Sequence, residues 1–368
     1  NPPYGVFDCN FGQKPFKYVP PEGFQPLNYA NLPTPAIVDP GKHFKTVLYT
    51  GSGGSKAITG VGFQPDLVWV KCRSDAKWHA VVDSVRGNTK TLFLNSNIAE
   101  VNETHIPSFD DSGFTVSDID SGTVNESGFT YVAWCWKAGG AAVSNSDGSI
   151  TSQVSVNQDA GFSIVSYTGT GNSATVGHGL TKAPSFIIIK NRDDTQSWPI
   201  YHKSTSNLGN SSQDVAYIDL TSVGTSDNIR NVSDTTFGVV NWGGVSGNNN
   251  NLIAYCWTDI EGYSKFGSYI GNANADGPFV DLGFLPAILI IKNIDDTEGW
   301  CIFDRERNPY NVVNIPLNLD ADTKEADFGT ANRTLDFLSN GFKIRSTAAG
   351  GTTAMNASGD EYIYAAWA

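Results

Sequence analysis

The chain has 368 residues, 40% hydrophobic and 17% charged, which excludes disorder as its main state and leaves length for several packed cores. Twenty-four basic against thirty-seven acidic residues give a formal net charge of −13, which repels nucleic-acid phosphates and anionic lipid. No run approaches the roughly 18 apolar residues of a membrane span, so neither nucleic-acid binding nor membrane insertion is expected.

The chain opens on Asn1, its one methionine is Met355, and no charged-then-apolar leader pattern is present. A processed product or a segment of a longer protein is expected. The short run GVFDCNF (Gly5–Phe11) reads as the last strand of a domain. Residues 14–43 hold seven of the seventeen prolines, interleaved with Phe16, Tyr18, Phe24 and Tyr29, and read as an extended strap. Residues 1–43 therefore form a leading unit distinct from the rest.

From residue 44 onward the same landmarks occur three times in the same order, the signature of an internal triplication. Each copy opens on Tyr-x-Gly, at Tyr49–Gly51, Tyr167–Gly169 and Tyr269–Gly271. A proline and an apolar run ending in lysine follow, as PDLVWVK (Pro65–Lys71), PSFIIIK (Pro184–Lys190) and PAILIIK (Pro286–Lys292). A polar turn then leads to Trp78, Trp198 and Trp300. The copies close on YVAWCW (Tyr131–Trp136), LIAYCW (Leu252–Trp257) and YIYAAW (Tyr362–Trp367), and Ser-Gly turns such as NESG and NASG precede two of these.

These runs are rich in Val, Ile, Tyr, Trp and Phe and are bounded by Gly, Asn, Asp and Ser, so they read as strands. PSFIIIK is apolar at successive positions, which predicts a strand covered on both faces. Short helices are expected at Asn95–Glu103 and Asp320–Phe328. The predicted fold is all-β: three tandem antiparallel β-sandwich, jelly-roll-like repeats after the Pro-rich strap. Their expected bounds are 44–138, 162–262 and 263–368, with 139–161 as a Gly/Ser-rich linker or extra hairpin. Each copy is large enough to own a core, so a rigid second–third pair, a hinged first copy and an autonomous third copy are expected.

Little in the residues speaks for catalysis. The five cysteines form no C-x-x-C, and Cys135 and Cys256 lie inside apolar runs, as buried free thiols do. His43, His79, His105, His178 and His202 share no matched position and read as packing or surface residues. Asp110–Asp111, Asp193–Asp194 and Asp295–Asp296 are adjacent pairs, which on a strand point to opposite faces. They suit Asx-turns first, with calcium binding and acid catalysis as alternatives. Neither a phosphate loop nor a zinc set is present, so no catalytic residue, cofactor or metal ligand is expected. The six recurring tryptophans read as core, because a position common to all copies is a fold requirement.

Residues that differ between copies are the better recognition candidates. The insertion Asn241–Asn251 offers Trp242, Asn248 and Asn250, either as a loose hairpin tip or as a polar loop that hydrogen-bonds glycans. The stretch DRERNPYNVV offers Arg305, Arg307 and Tyr310, either as a solvated turn or as a charged patch for a partner subunit or an acidic sugar.

Gly5–Leu27, GVFDCNFGQKPFKYVPPEGFQPL, resembles the C-terminal strand and tail of SPRY-type β-sandwich domains in tailed-phage proteins. The segments SYIGNANADGPF, GFLPAILIIKN, RERNPYNVV, FLSNGFKIR and NASGDEYIYAAWA resemble an uncharacterised domain that follows such SPRY domains in tailed-bacteriophage virion proteins. The resemblance implies a non-enzymatic virion protein, most simply a tail-fibre or appendage component that presents multivalent contacts to host-surface glycans. It implies other virion proteins as partners and a homo-oligomer, with a trimer favoured. A capsid decoration or head-fibre protein is the alternative, and a polysaccharide depolymerase a third.

Overall fold

The computed structural model describes residues 18, 36–120, 122–205, 215–224, 228–326, 333–347 and 355–368. The SPRY-like run and most of the Pro-rich strap therefore lie outside the described residues. No described helix is long and apolar enough to cross a membrane.

Alternating and doubly apolar runs become strands of two kinds of sheet. Module 1 has a five-stranded antiparallel sheet, ordered Phe44–Thr50, Thr130–Trp136, Leu67–Cys72, Ala80–Asp83, Leu92–Phe93. A three-stranded sheet of Lys56–Thr59, Gly113–Val116 and Ser108–Asp110 packs against it. Module 3 repeats the order with Ser264–Ile270, Glu361–Trp367, Ile288–Asn293, Cys301–Asp304 and Leu317–Asn318, faced by Phe279–Asp281, Gly341–Ile344 and Leu335–Leu338. Module 2 carries the same framework in an eight-stranded sheet. Two of its extra strands, Val143–Asn145 and Ser152–Asn157, form a hairpin that pairs onto Phe162–Thr168, so the segment 139–161 is a hairpin rather than a flexible linker. The all-β sandwich reading therefore holds in each module.

The copies share more than a sequence pattern. Along each closing strand, side chains alternate between two cores. Tyr131, Ala133 and Cys135 enter the core between the two sheets of module 1, while Val132, Trp134 and Trp136 point the other way. Module 2 does the same with Leu252, Ala254 and Cys256 against Ile253, Tyr255 and Trp257, and module 3 with Tyr362, Tyr364 and Ala366 against Ile363, Ala365 and Trp367. The second set from all three modules meets in one apolar cluster. Each large sheet is thus buried on both faces, as PSFIIIK predicted: Leu67–Cys72, Phe186–Asn191 and Ile288–Asn293 are buried at every position. The expected hinge on the first copy is not present, because that copy contributes Trp69, Trp134 and Trp136 to the common centre.

The Tyr-x-Gly motif has a local cause. Tyr49, Tyr167 and Tyr269 donate their hydroxyls to Val124 O, Val245 O and Met355 O, at 2.6, 2.8 and 2.9 Å, in the turn ahead of each closing strand. Two residues on, that same turn crosses so closely that a Cβ on Gly51, Gly169 or Gly271 would run into a backbone carbonyl oxygen.

Neither predicted helix forms among the described residues. Residues 95–103 and the described part of the second segment, 320–326, are irregular. Each lies along a neighbouring module instead, with Glu100 N donating to Arg192 O at 2.8 Å and Glu325 N to Arg73 O at 2.9 Å. Helical turns among the described residues are Pro40–Lys42 and Gly243–Ser246.

Candidate functional site

The centre of the molecule is a triangle of tryptophans. Trp136, Trp257 and Trp367 contact one another edge-to-face, with ring centroids 6.0, 5.7 and 5.7 Å apart. Their indole N–H groups are buried with no hydrogen-bond acceptor. Edge-to-face packing turns positive ring edges toward negative ring faces and offsets part of that loss. A small apolar-lined void of about 20 Å³ remains between the rings and their neighbours.

Around this triangle every module reaches into the one before it, and module 1 reaches into module 3. Lys71, Lys190 and Lys292 are wholly buried. Lys190 Nζ donates to Asn97 O of module 1 at 3.0 Å, Lys292 Nζ to Thr221 O of module 2 at 3.0 Å, and Lys71 Nζ to Asp322 O of module 3 at 3.0 Å. Carbonyls of the module's own turn complete each cage, such as Gln196 O at 2.6 Å and Glu298 O at 2.6 Å. Burial lowers all three ammonium groups to about 8. The shared lysine is therefore a clamp between modules.

The same circuit appears one layer further in. Trp198 Nε1 donates to Phe93 O at 3.2 Å and Ser96 O at 3.0 Å, Trp300 Nε1 donates to Tyr217 O at 2.9 Å, and His79 Nε2 bonds Asn318 O at 2.9 Å. His79, not Trp78, thus occupies the place of Trp198 and Trp300. Trp78 is 41% exposed, which corrects its assignment to the core. The other five recurring tryptophans are buried. Trp69 Nε1 donates to His79 Nδ1 at 3.0 Å, so the ring is neutral with its proton on Nε2, and burial holds its pKa well below the usual value.

Charge closes the outer part of each interface. Asp83 and Arg86 form a fully buried pair, Arg86 reaches Glu100 at 2.9 Å, and Glu100 takes two 2.9 Å bonds from Arg192 of module 2. Burial alone would raise the Glu100 carboxyl, but the bond from Arg192 and the charge of Arg86 outweigh it and hold it low. Asp304, Arg307, Glu325 and Arg73 of module 1 repeat the chain on the opposite side. Module 2 carries His202 where its neighbours carry Asp83 and Asp304, as the matched pairings with Phe186, Leu67 and Ile288 show. Tyr255 Oη donates to Asp83 at 2.7 Å and Trp134 Nε1 to Asp304 at 3.2 Å. At the third interface the facing residue is Ala365, and His202 Nε2 crosses the space it leaves to bond Tyr364 O at 3.0 Å.

Three clefts of about 580, 520 and 530 Å³ open at the tryptophan end, one per interface. Between modules 2 and 3 the walls carry Lys182, Asp259, Glu261, Lys265 and Asp281. Between modules 3 and 1 they carry Lys45, Arg305 and Glu306, and between modules 1 and 2 they carry Asp66, Lys137 and Asp159. Each mixes both signs of charge.

The sequence-derived recognition residues are scattered. Trp242 is half-buried, packed on the module 2 core and edge-on to Tyr217 at 6.2 Å. Asn250 bonds Asn191 Oδ1 at 3.2 Å and Asp194, so the insertion is pinned to the neighbouring turn rather than a loose tip. Asn248 is exposed. Arg307 is buried in the ionic chain just described and unavailable as a surface patch. Arg305 lines the cleft between modules 3 and 1, and Tyr310 stands 80% exposed beyond it. The second and third aspartate pairs do sit in turns: Asn191 and Asn293 side chains accept from Asp193 N and Asp295 N at 2.9 and 2.8 Å, whereas Asp110 of the first pair ends the strand Ser108–Asp110.

One constellation was missed by sequence reasoning. Glu103, His105 and Asp120 of module 1 bring one donor atom each within 4.8 Å of one another. Glu103 and His105 lie two residues apart in an irregular stretch, and fifteen positions separate His105 from Asp120, so no recognised ligand spacing marks the set.

A family described as a domain of unknown function, DUF7483, matches residues 39–368. No curated protein and no solved structure matches the chain.

Proposed function

The chain belongs to the DUF7483 family, and on that premise we propose that it is a non-enzymatic structural protein of a tailed-phage virion, a tail-fibre or appendage scaffold that displays host-binding clefts. The observation that carries this reading is the closed three-module ring. The buried lysines, the ionic chains and the indole N–H groups of Trp198 and Trp300 serve contacts between modules. Such an arrangement suits a rigid presenting platform. The phage assignment itself rests on the likeness of the third-repeat segments and of Gly5–Leu27 to virion proteins.

Host attachment by such a platform works through repetition. A shallow sugar site with a Kd near ~1 mM supplies only about 4 kcal/mol. Several sites on one rigid body raise avidity by roughly 10²–10⁴ without new contacts. The three clefts and the exposed Arg305–Tyr310 rim are the surfaces proposed to meet glycan. A homotrimer would be built on the outer faces, because the faces along the axis are covered within one chain.

Immunogold electron microscopy of intact particles with antibody to residues 263–368 tests this. Label at tail tips supports the appendage reading. Label over the head replaces it with a decoration or head-fibre role, and sugar release from host capsule by the purified chain overturns the non-enzymatic reading.

A further inference from the structure

We propose that Glu103, His105 and Asp120 form a binding site for one divalent transition cation of the zinc class, confined to module 1. The imidazole of His105 is wholly buried, and its Nε2 has no hydrogen-bond partner. That nitrogen nevertheless lies 3.1 Å from Asp120 Oδ2 and 3.8 Å from Glu103 Oε2, so the nearest carboxylate stands beside the ring's in-plane direction rather than on it. A cation bound at that nitrogen, about 2.0–2.1 Å from it, would have both carboxylate oxygens within reach as further ligands, since the three donor atoms lie within 4.8 Å of one another.

The far side of the ring supports the same assignment. Thr91 Oγ1 donates to Glu103 O at 2.9 Å, and a hydroxyl has one proton to give. The 2.9 Å contact between Thr91 Oγ1 and His105 Nδ1 then places the ring proton on Nδ1. Nε2 is then the ring atom that faces the two carboxylates, an arrangement that calls for a positive charge between them. Fixing the ring through its other nitrogen is how proteins orient a metal-binding histidine. Asp120 is fixed likewise, with Thr123 Oγ1 donating to its Oδ2 at 2.7 Å. Imidazole with two carboxylates favours a zinc-class ion over calcium, which prefers six to eight oxygens. Among the three modules, the backbone position of His105, read from Ser117 N, Val240 N and Arg345 N, is taken by Asn228 and Thr334 in the other two.

The test is isothermal titration of the chelator-treated full chain with Zn²⁺ at pH 7.5, with Ca²⁺ as comparator, alongside imidazole nitrogen NMR. One saturable zinc site is expected, with zinc preferred over calcium. Asp120→Asn and Glu103→Gln, both at partly exposed side chains, are each expected to weaken it about tenfold or more. The His105 Nε2 resonance should shift to a metal-bound position on loading. No saturable site, binding unchanged in both variants, equal affinity for calcium, or an imidazolium protonated on both nitrogens in the presence of zinc would each overturn the proposal.

Discussion

At the residue scale, the lysine that ends each Pro-to-Lys run carries the most. A charged group at the end of a strand is ordinarily a solvated tip, yet Lys71, Lys190 and Lys292 are buried, and each bonds a carbonyl of the neighbouring module. Replacing Lys190 with Met removes the cation but leaves Asn97 O and Gln196 O without their donor. The expected loss is about 3 kcal/mol, read as a lower urea midpoint at unchanged m-value. His202 adds a pH dependence. Ser204 N donates to its Nδ1 at 3.2 Å and its Nε2 bonds Tyr364 O, so the folded state holds it neutral, and burial lowers its pKa to about 4. The unfolded ring takes up a proton near pH 6.5, so stability falls as pH drops from 6.5 and levels off below about 4. The histidine accounts for about 3 kcal/mol of that loss. Urea titrations across this range should show a shallower slope for His202→Gln.

At the element scale, the closing strands show how one backbone serves three unequal interfaces. Trp134 and Tyr255 fill the space before Asp304 and Asp83, whereas the small Ala365 makes room for the longer reach of His202. Ala365→Trp should cost about 1–3 kcal/mol by overpacking, and His202→Asp more, by burying a lone carboxylate. Together they should cost less than their sum, with a favourable coupling of about 0.5–3 kcal/mol in a double-mutant cycle.

The same strands mark what sequence could tell. PSFIIIK announced a doubly covered strand, and the Pro-to-Lys offset located its copies, because strand composition is a local property. The tryptophan landmark slipped by one residue. Counting eight from each lysine gives His79, Trp198 and Trp300, but the adjacent Trp78 captured the match by identity. Glu103–His105–Asp120 stayed hidden because loop closure, not spacing, brings Asp120 to the ring. The segment 95–103 reads as a helix on its own, because its irregular path is held by Arg192, 92 positions from Glu100.

At the scale of the molecule, self-comparison counted three copies but gave no sign that they face one another. A beads-on-a-string reading expected the third copy to fold alone. The structure instead lays Phe266, Ile288, Ile290, Trp300, Ile363 and Trp367 of that copy against the other two modules. Bared to water, that face is far larger than a single side chain's exposure, and each such side chain loses about 1.5–3 kcal/mol of burial. Residues 263–368 expressed alone should therefore unfold without a cooperative transition and bind hydrophobic dye. The full chain should melt in one transition by circular dichroism and tryptophan fluorescence alike.

Closure has a consequence for heredity. In an open solenoid, unequal crossing-over between similar repeats lengthens or shortens the array by one unit, and the product still stacks. Here module 1 donates to module 3, module 3 to module 2 and module 2 to module 1, so the circuit has no free end at which a unit can be gained. A gene that lost or added one copy would encode a chain whose tryptophan triangle cannot form. Copy number is thereby held at three, while the sequences of the copies are free to drift apart, as Ala365 and His202 already have from their counterparts.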